Sequence, residues 1–406
     1  MNLKHAVFGW LFASLALALW PAGAEETAPP LAAFVREVVR RHPGVQTAEA
    51  ALEAASAKAR GQARYLYNPE LELDYEEAET TTKQIGLAQT LDISGKRGVR
   101  SDVASAEVRA AMAARDAVRL DLVTELLTSL AGYQTQRQIL AIGKRRFDLG
   151  QDFVVLAERR YAAGDAPRPD VLTARLAMTE VIAEKNEAEA SLAKAAEKLE
   201  TAAGGKSADW PILPEAPLDP PTLDFARIEH LPQIQLARAD REAAQARIAV
   251  AKRNRIPDPT LGLRYGQENE DTLLGVRLAV PVPILNTFSA EVDAAQAESN
   301  AAEQALEAQR QKAKASLAAS HKKYLAAIAA WQEWQKSNGE PLEEQRQLLG
   351  RLWEAGEINA VDYLVLLNQT FAAEKLSIEL RTRLWEAWLD WLNASALTPY
   401  GLEISP

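Results

Sequence analysis

The chain has no cysteine, which excludes a disulfide framework, a thiol nucleophile and a lipid-modified N-terminal cysteine. Histidine is almost as scarce. His5, His42, His230 and His321 are scattered, and without a thiolate they make no recognisable soft-metal site. There is no G-x-S-x-G turn and no phosphate-cradling loop, Gly204-Gly205-Lys206 being too short to count. No catalytic constellation, metal site or cofactor is therefore expected. Positive charge is in deficit: the net charge is −10, and setting aside residues 1–24, whose one formal charge is Lys4, makes it −11. Such a balance makes nucleic acid a poor partner. Long apolar runs are missing too. The run at residues 6–20 falls short of the roughly 20 residues a spanning helix needs.

That run follows Lys4 and His5 and leads into Ala22-Gly23-Ala24, the small-x-small pattern of a cleaved secretory signal. Residues 1–24 thus read as an export signal, with a membrane anchor as the weaker alternative. With no lipid-modified cysteine, the expected destination is the periplasm or the outer membrane. Any later entry into a membrane must use strands.

What the sequence has in abundance is alanine-rich helix. Residues 97–163 contain no proline. Val118, Leu122, Leu126, Leu130 and Tyr133 recur three and four apart, with Arg119, Asp121, Glu125 and Arg137 between them, as on an amphipathic helix. At about 1.5 Å per residue such a rod runs about 100 Å. It needs long partners. Gly164, followed by Pro167 and Pro169, predicts a stop and a return helix over 169–203. Frequent alanines allow close packing of such helices, although a plain coiled-coil dimer would use them equally.

Before the rod come helices expected at 31–41 and 44–65, then Leu71-Glu72-Leu73-Asp74-Tyr75-Glu76, an alternating strand, and a second extended run at 84–91. After residues 211–221, whose prolines suggest an extended linker, the order restarts. Pro43 is matched by Pro232, Asn68-Pro69-Glu70-Leu71 by Asp258-Pro259-Thr260-Leu261, and Gly86-Leu87 by Gly275-Val276. Arg160-Tyr161-Ala162-Ala163-Gly164 with Asp170 is matched by Leu352-Trp353-Glu354-Ala355-Gly356 with Asp362, six residues from Gly to Asp in both. These pairs lie close to 190 residues apart, which marks two tandem copies of one unit. The expected organisation is a signal at 1–24, a first repeat at 25–203, a linker at 204–221, a second repeat at 222–396 and a tail at 397–406. In the second copy, strands are expected at 261–265 and 273–280. A long helix from Ser289 carries Leu317, Tyr324, Ile328 and Trp331, a break falls at Asn338-Gly339-Glu340-Pro341, and a last helix covers 361–394 with Trp385, Trp388 and Trp391.

The fold class is therefore mainly α with a small β part: long helical hairpins plus four strands per chain. Four strands cannot close a membrane barrel, since the smallest use about eight, and an open edge in lipid leaves backbone groups unpaired. A barrel would have to be shared between copies. Its lipid face would carry Leu71, Leu73, Tyr75, Leu261, Leu263, Tyr265, Leu274, Val276 and Leu278, and its wet lumen Glu72, Asp74, Glu76, Arg264 and Arg277. A half-exposed soluble sheet shows the same alternation.

The duplicated order, with His42-Pro43, Pro257-Asp258-Pro259-Thr260-Leu261, Tyr161-x-x-Gly164 and Trp353-x-x-Gly356, resembles the TolC-type outer-membrane efflux channels over nearly the whole chain after residue 24. Leu91-Asp92-Ile93-Ser94-Gly95-Lys96-Arg97-Gly98 and Pro341 look like its heavy-metal, CzcC-like branch, which serves exporters of the resistance-nodulation-division (RND) type. The resemblance implies a homotrimer with a twelve-stranded barrel in outer-membrane lipid and a twelve-helix periplasmic α-barrel. Its partners would be a periplasmic adaptor (membrane fusion) protein and an inner-membrane RND pump, and divalent heavy-metal cations would be the candidate cargo of a passive exit duct. It also implies that the turns at Gly164, Asp165, Gly356 and Glu357 form the periplasmic tip where the adaptor docks, and that Asp170, Asp362, Glu354 and Glu357 are entrance acids. Asp170 after its proline turn also suits a helix cap. Three positions depart from the family pattern. Val365 stands where the acid is usually repeated, Trp353 where a gate tyrosine is usual, and Ile358 where an arginine latch is usual. The alternative is a periplasmic coiled-coil adaptor without a membrane barrel, although an adaptor would show one hairpin flanked by β-domains.

Overall fold

A computed structural model describes residues 31–206, 209–217, 223–337 and 342–397. The expected signal at 1–24, the break at Pro341 and nearly all of the tail lie outside the described residues. The first half runs α1 (Leu31–Arg41), α2 (Pro43–Gln62), β1 (Glu70–Glu77), β2 (Thr81–Thr90), α3 (Lys96–Ala163) and α4 (Arg168–Ala202). The second runs through a 3-10 turn (Phe225–His230) to α5 (Pro232–Asn254), β3 (Thr260–Glu268), β4 (Asp271–Ala279), α6 (Ser289–Ser337), α7 (Leu342–Glu354) and α8 (Ala360–Ser395).

Local chemistry sets these boundaries. His42 caps α2: its Nδ1 accepts the Gly44 N–H at 3.1 Å, and Pro43 opens the first turn, where a missing N–H costs nothing. The 68 residues of α3 amount to about 100 Å of helix. It starts after Gly95 in the left-handed region, and the Asp92 carboxylate reaches past it to accept the Lys96 and Arg97 N–H groups at 2.8 and 2.9 Å. Both long hairpins turn in the same way. Gly164 at φ 84° and Gly356 at φ 76° are left-handed, a conformation that favours glycine. The following Asp165 and Glu357 donate back to the Arg160 and Leu352 carbonyls, the Schellman pattern that satisfies the last carbonyls of a helix.

The four strands form one antiparallel sheet in the order β1-β2-β3-β4, leaving one edge each of β1 and β4 unpaired among the described residues. In the helical layer α3 lies along α2, α4 and α5, and α6 along α5 and α8. Two apolar cores hold these rods together. The larger gathers Val35 of α1, Leu126, Leu127 and Leu130 of α3, Leu199 of α4, Leu317 and Tyr324 of α6, and Trp385, Trp388 and Trp391 of α8. The smaller lies toward the hairpin turns and joins Phe153, Leu349, Trp353, Tyr363, Leu367 and Phe371.

One expectation needs correction. The described part of the proline-rich connection is irregular in backbone, as its composition suggests, but it is docked rather than free. Leu213 is buried in the larger core, Gln134 Nε2 donates to the Pro211 carbonyl at 2.7 Å, and the Trp385 indole donates to the Pro214 carbonyl at 3.2 Å. Prolines bring no N–H that must be satisfied on burial, so their carbonyls need only these donors.

Candidate functional site

The strand register decides which side chains share a face. Leu71 opposes Leu87 and Leu73 opposes Ile85. Ile85 opposes Tyr265 and Leu87 opposes Leu263, while Leu261, Leu263 and Tyr265 oppose Leu278, Val276 and Leu274. The nine apolar residues singled out from the sequence thus form one continuous face, to which β2 adds Ile85 and Leu87. This face is bare: Leu73 is 71% exposed, Val276 72% and Leu274 80%. An apolar surface of this extent marks an interaction site.

The opposite face is polar and cross-linked. Arg264 donates to Glu72 Oε2 through Nε at 3.0 Å and Nη2 at 2.7 Å, and Arg277 Nη1 donates to Glu72 Oε1 at 3.1 Å. Asp74 Oδ2 lies 3.8 Å from Arg264 Nη1. Glu76 shares the face but has no ion pair among the described residues. Gly86 permits the bridge, because a Cβ there would sit 3.0 Å from Arg264 Cγ and 3.4 Å from Glu72 Oε2. The sequence shows these charges but not this linkage, which depends on a strand between them with no side chain in the way.

Where the sheet meets the helices, two buried charges join the halves of the chain. Lys96 Nζ pairs with Asp258 Oδ2 at 2.9 Å, and the Tyr67 hydroxyl donates to the same oxygen at 2.7 Å. That hydrogen bond, then burial and the Asp258 charge, push the Tyr67 phenol above its ordinary range. Leu91 N–H donates to the Pro259 carbonyl at 2.9 Å, and Arg253 is bonded to the Ser94 carbonyl. The motif from Leu91 to Gly98 is therefore the joint between sheet and rods.

At the other end, the structure brings the two hairpin turns together. Arg160, in the last turn of α3, donates from Nη2 to the Trp353 carbonyl at 2.6 Å and the Glu354 carbonyl at 3.1 Å, and its guanidinium lies 4.4 Å from the centre of the Trp353 ring. A cation at the carbonyl end of α7 satisfies groups with no partner inside the helix and complements its dipole. Trp353 is buried between Phe153 and Tyr363, with ring centroids 5.1 and 5.4 Å away. Burial first, then the charges of Glu354 and Asp152, raise the Tyr363 phenol. The Trp353 indole is thus a core member within this chain.

Of the four acids expected at an entrance, Glu354, Glu357 and Asp362 are exposed and Asp170 is half-buried. Asp170 is not a helix cap. The cap position of α4 is Pro167, and Asp170 sits three residues inside, in the first turn, where a carboxylate still complements the helix dipole. Asp362 occupies the matching place in α8. Asn359 caps that helix by accepting the Asp362 N–H at 2.9 Å, and its amide donates to Asp362 Oδ2 at 2.7 Å, a reciprocal arrangement close to a capping box. Sequence reasoning missed Asn359, although an Asn three residues before an acid at a helix start is a legible signal. Arg160 was missed because its partners lie more than 190 residues away.

Among the described residues, no group of three or more His, Cys, Asp or Glu side chains could hold a metal ion. No helix among them is long and apolar enough to cross a membrane.

The chain is 25% identical over 325 residues to the cobalt-zinc-cadmium resistance protein CzcC of Cupriavidus metallidurans, covering 77% of each chain. In fold it is similar to CusC, a transmembrane channel, with a TM-score of 0.77 at 16% identity, covering 94% of this chain and 96% of that one. It is likewise similar to the open state of the outer-membrane channel MtrE of Neisseria gonorrhoeae, with a TM-score of 0.76 at 18% identity over 91% and 89% of the two chains. The model of the outer membrane efflux protein family matches residues 35–205 and 227–393, and the chain belongs to that family.

Proposed function

We propose that this outer membrane efflux channel is a homotrimeric exit duct whose cargo is divalent metal cations, received through a periplasmic adaptor from an inner-membrane pump of the RND type. The observation that carries this reading is the four-stranded sheet itself, with a bare apolar face, an ionic face and two open edges. Twelve strands from three copies would remove every edge, turn Leu71, Leu73, Tyr75, Leu261, Leu263, Tyr265, Leu274, Val276 and Leu278 to lipid, and turn Glu72, Asp74, Glu76, Arg264 and Arg277 to the bore. The tandem units at 25–203 and 222–396 would then give the wall a sixfold repeat. Family membership removes the adaptor alternative and makes the chain a channel rather than a catalyst. The likeness to CzcC supports the choice of cargo.

At the tip, the turns at Gly164, Asp165, Gly356 and Glu357 are presented for adaptor docking, and Asp170, Asp362, Glu354 and Glu357 draw cations to the mouth. Three symmetry-related copies of each acid around a narrow opening sum their fields. In planar bilayers the purified trimer should form cation-preferring channels, and Asp362→Asn should reduce that preference while leaving conductance present. Unchanged selectivity would remove Asp362 from the entrance. Absence of any channel would remove the duct.

A further inference from the structure

Glu72 reaches across the whole ionic face of the sheet. The register sets Glu70, Ala88, Gly262 and Arg277 in one row, Glu72, Gly86, Arg264 and Gly275 in the next, and Asp74, Gln84, Gly266 and Leu273 in a third. Glu72 on β1 and Arg277 on β4 start three strand spacings apart, about 14 Å. Their side chains nevertheless meet at 3.1 Å, a contact that closes only if both lie along the sheet rather than stand out from it. Arg264, between them, is bonded twice to the same carboxylate. Gly86, Gly262 and Gly275 keep the floor beneath these arms low, and of the three only Gly86 lies where a Cβ would come as close as 3.0 Å to an arginine. Arg264 and Arg277 are the only basic residues on this face of the four strands, since Lys83 lies opposite Tyr75 on the apolar one. Glu72 and Asp74 balance their charge. Glu70 and Glu76 remain over, exposed and with no ion pair among the described residues, and the row nearest the strand turns adds Glu268 and Asp271.

Resting on the shared-barrel reading, we infer that Glu72 determines the charge selectivity of the bore: it pins Arg264 and Arg277 flat against the wall, so that a cation in transit faces Glu70 and Glu76 instead of two projecting guanidinium groups. Salt screens a charge over about 10 Å at 0.1 M, so the height at which a guanidinium stands above the wall decides how strongly an ion in the bore feels it. Pinned and paired, the two arginines cancel against carboxylates beside them. Released, they would ring the bore with positive charge and oppose the cargo. The barrel is then a second cation-preferring zone, at the opposite end of the duct from the entrance acids. Glu72 acts there through the arginines it positions, and Gly86 is the gap through which it reaches them.

The test uses potassium chloride as the only permeant salt. In planar bilayers under a salt gradient, the full-length wild type should show a cation-preferring reversal potential. Glu72→Gln and Glu76→Gln remove the same charge, yet Glu72→Gln should lower the potassium-to-chloride permeability ratio by about twofold more than Glu76→Gln, because it also frees two arginines. Gly86→Val changes no charge and should move the ratio in the same direction, which keeps the test available where Glu72→Gln does not assemble. Adding Arg264→Gln and Arg277→Gln to Glu72→Gln should return the cation preference to the wild-type level or beyond. A brace that only holds strands together would change the yield of assembled protein on size exclusion without moving the reversal potential of the channels that form. Equal shifts in Glu72→Gln and Glu76→Gln, or an unmoved potential in Gly86→Val, would overturn the clamp and leave the duct standing. A wild-type channel that conducts with no cation preference would overturn it too. A wild-type protein silent in bilayers would remove the barrel reading, and this inference with it.

Discussion

Asp258 carries the largest consequence of any single side chain here. It is buried, it receives Lys96 and Tyr67 on one oxygen, and its other oxygen, Oδ1, has no hydrogen-bond partner among the described residues. A buried pair of this kind contributes little net stability when intact, because desolvation offsets attraction, but breaking it strands a charge. Asp258→Ala should therefore destabilise the fold by about 3–5 kcal/mol, leaving the Lys96 ammonium without a counter-charge. Asp258→Asn, which keeps an acceptor for Tyr67, should lose less. Denaturant titration of the two variants checks the order: equal losses would assign the whole effect to the lost charge and none to the Tyr67 hydrogen bond, and a loss well under about 3 kcal/mol in both would show that the pair does not hold the joint. The sequence offered Asp258 as a repeat marker and as part of the motif that carries the family resemblance, but not as one half of an ion pair. Its partner Lys96 stands 162 residues away, and no local periodicity encodes that distance. Arg160 and its carbonyl partners were hidden for the same reason.

At the level of elements, the rods were legible and their cross-ties were not. The proline-free run gave α3 to within one residue at its start, because Gly164 must be left-handed and nothing before it breaks the helix. The strands were legible from strict alternation, but their bounds ran up to three residues beyond the expected ones, since pairing continues through Gly266 and Glu268. What the pattern could not show is the tie between α5, α6 and the 3-10 turn. Glu229 accepts from Arg310 Nε at 3.0 Å and is also paired with Arg238. The hydrogen bond from Arg310 holds the Glu229 carboxyl below its usual range despite some desolvation, with the charges of Arg310 and Arg238 adding to it. A carboxylate whose folded pKa is depressed stabilises the fold above its unfolded pKa and loses that contribution as pH falls through the folded value. Wild type should therefore lose more stability than Glu229→Gln as pH drops below about 4, while at neutral pH wild type should be the more stable. Thermal melts of both proteins across that range check the sign. Parallel curves would show that the tie is solvent-screened and without effect.

For the whole molecule, the question is which face of the sheet meets lipid, and that was only half legible. Alternation separates two faces but is the same in a soluble sheet; the register and the bare apolar surface supply the physical asymmetry, and family membership supplies the outer membrane. A lysine on a lipid-facing strand position costs about 2–4 kcal/mol at the bilayer midplane, whereas the wet side tolerates it. Val276, in the middle of β4, is on the apolar face; Gln84, in β2, lies on the ionic face opposite Asp74. Val276→Lys should reduce the amount of trimer recovered from outer membranes, and Gln84→Lys should leave it near wild type. Because neither site is packed in a core within the single chain, a difference between them reports on the surrounding solvent rather than on folding. Equal recovery would mean that the apolar face does not meet lipid, and the opposite order would turn the sheet inside out.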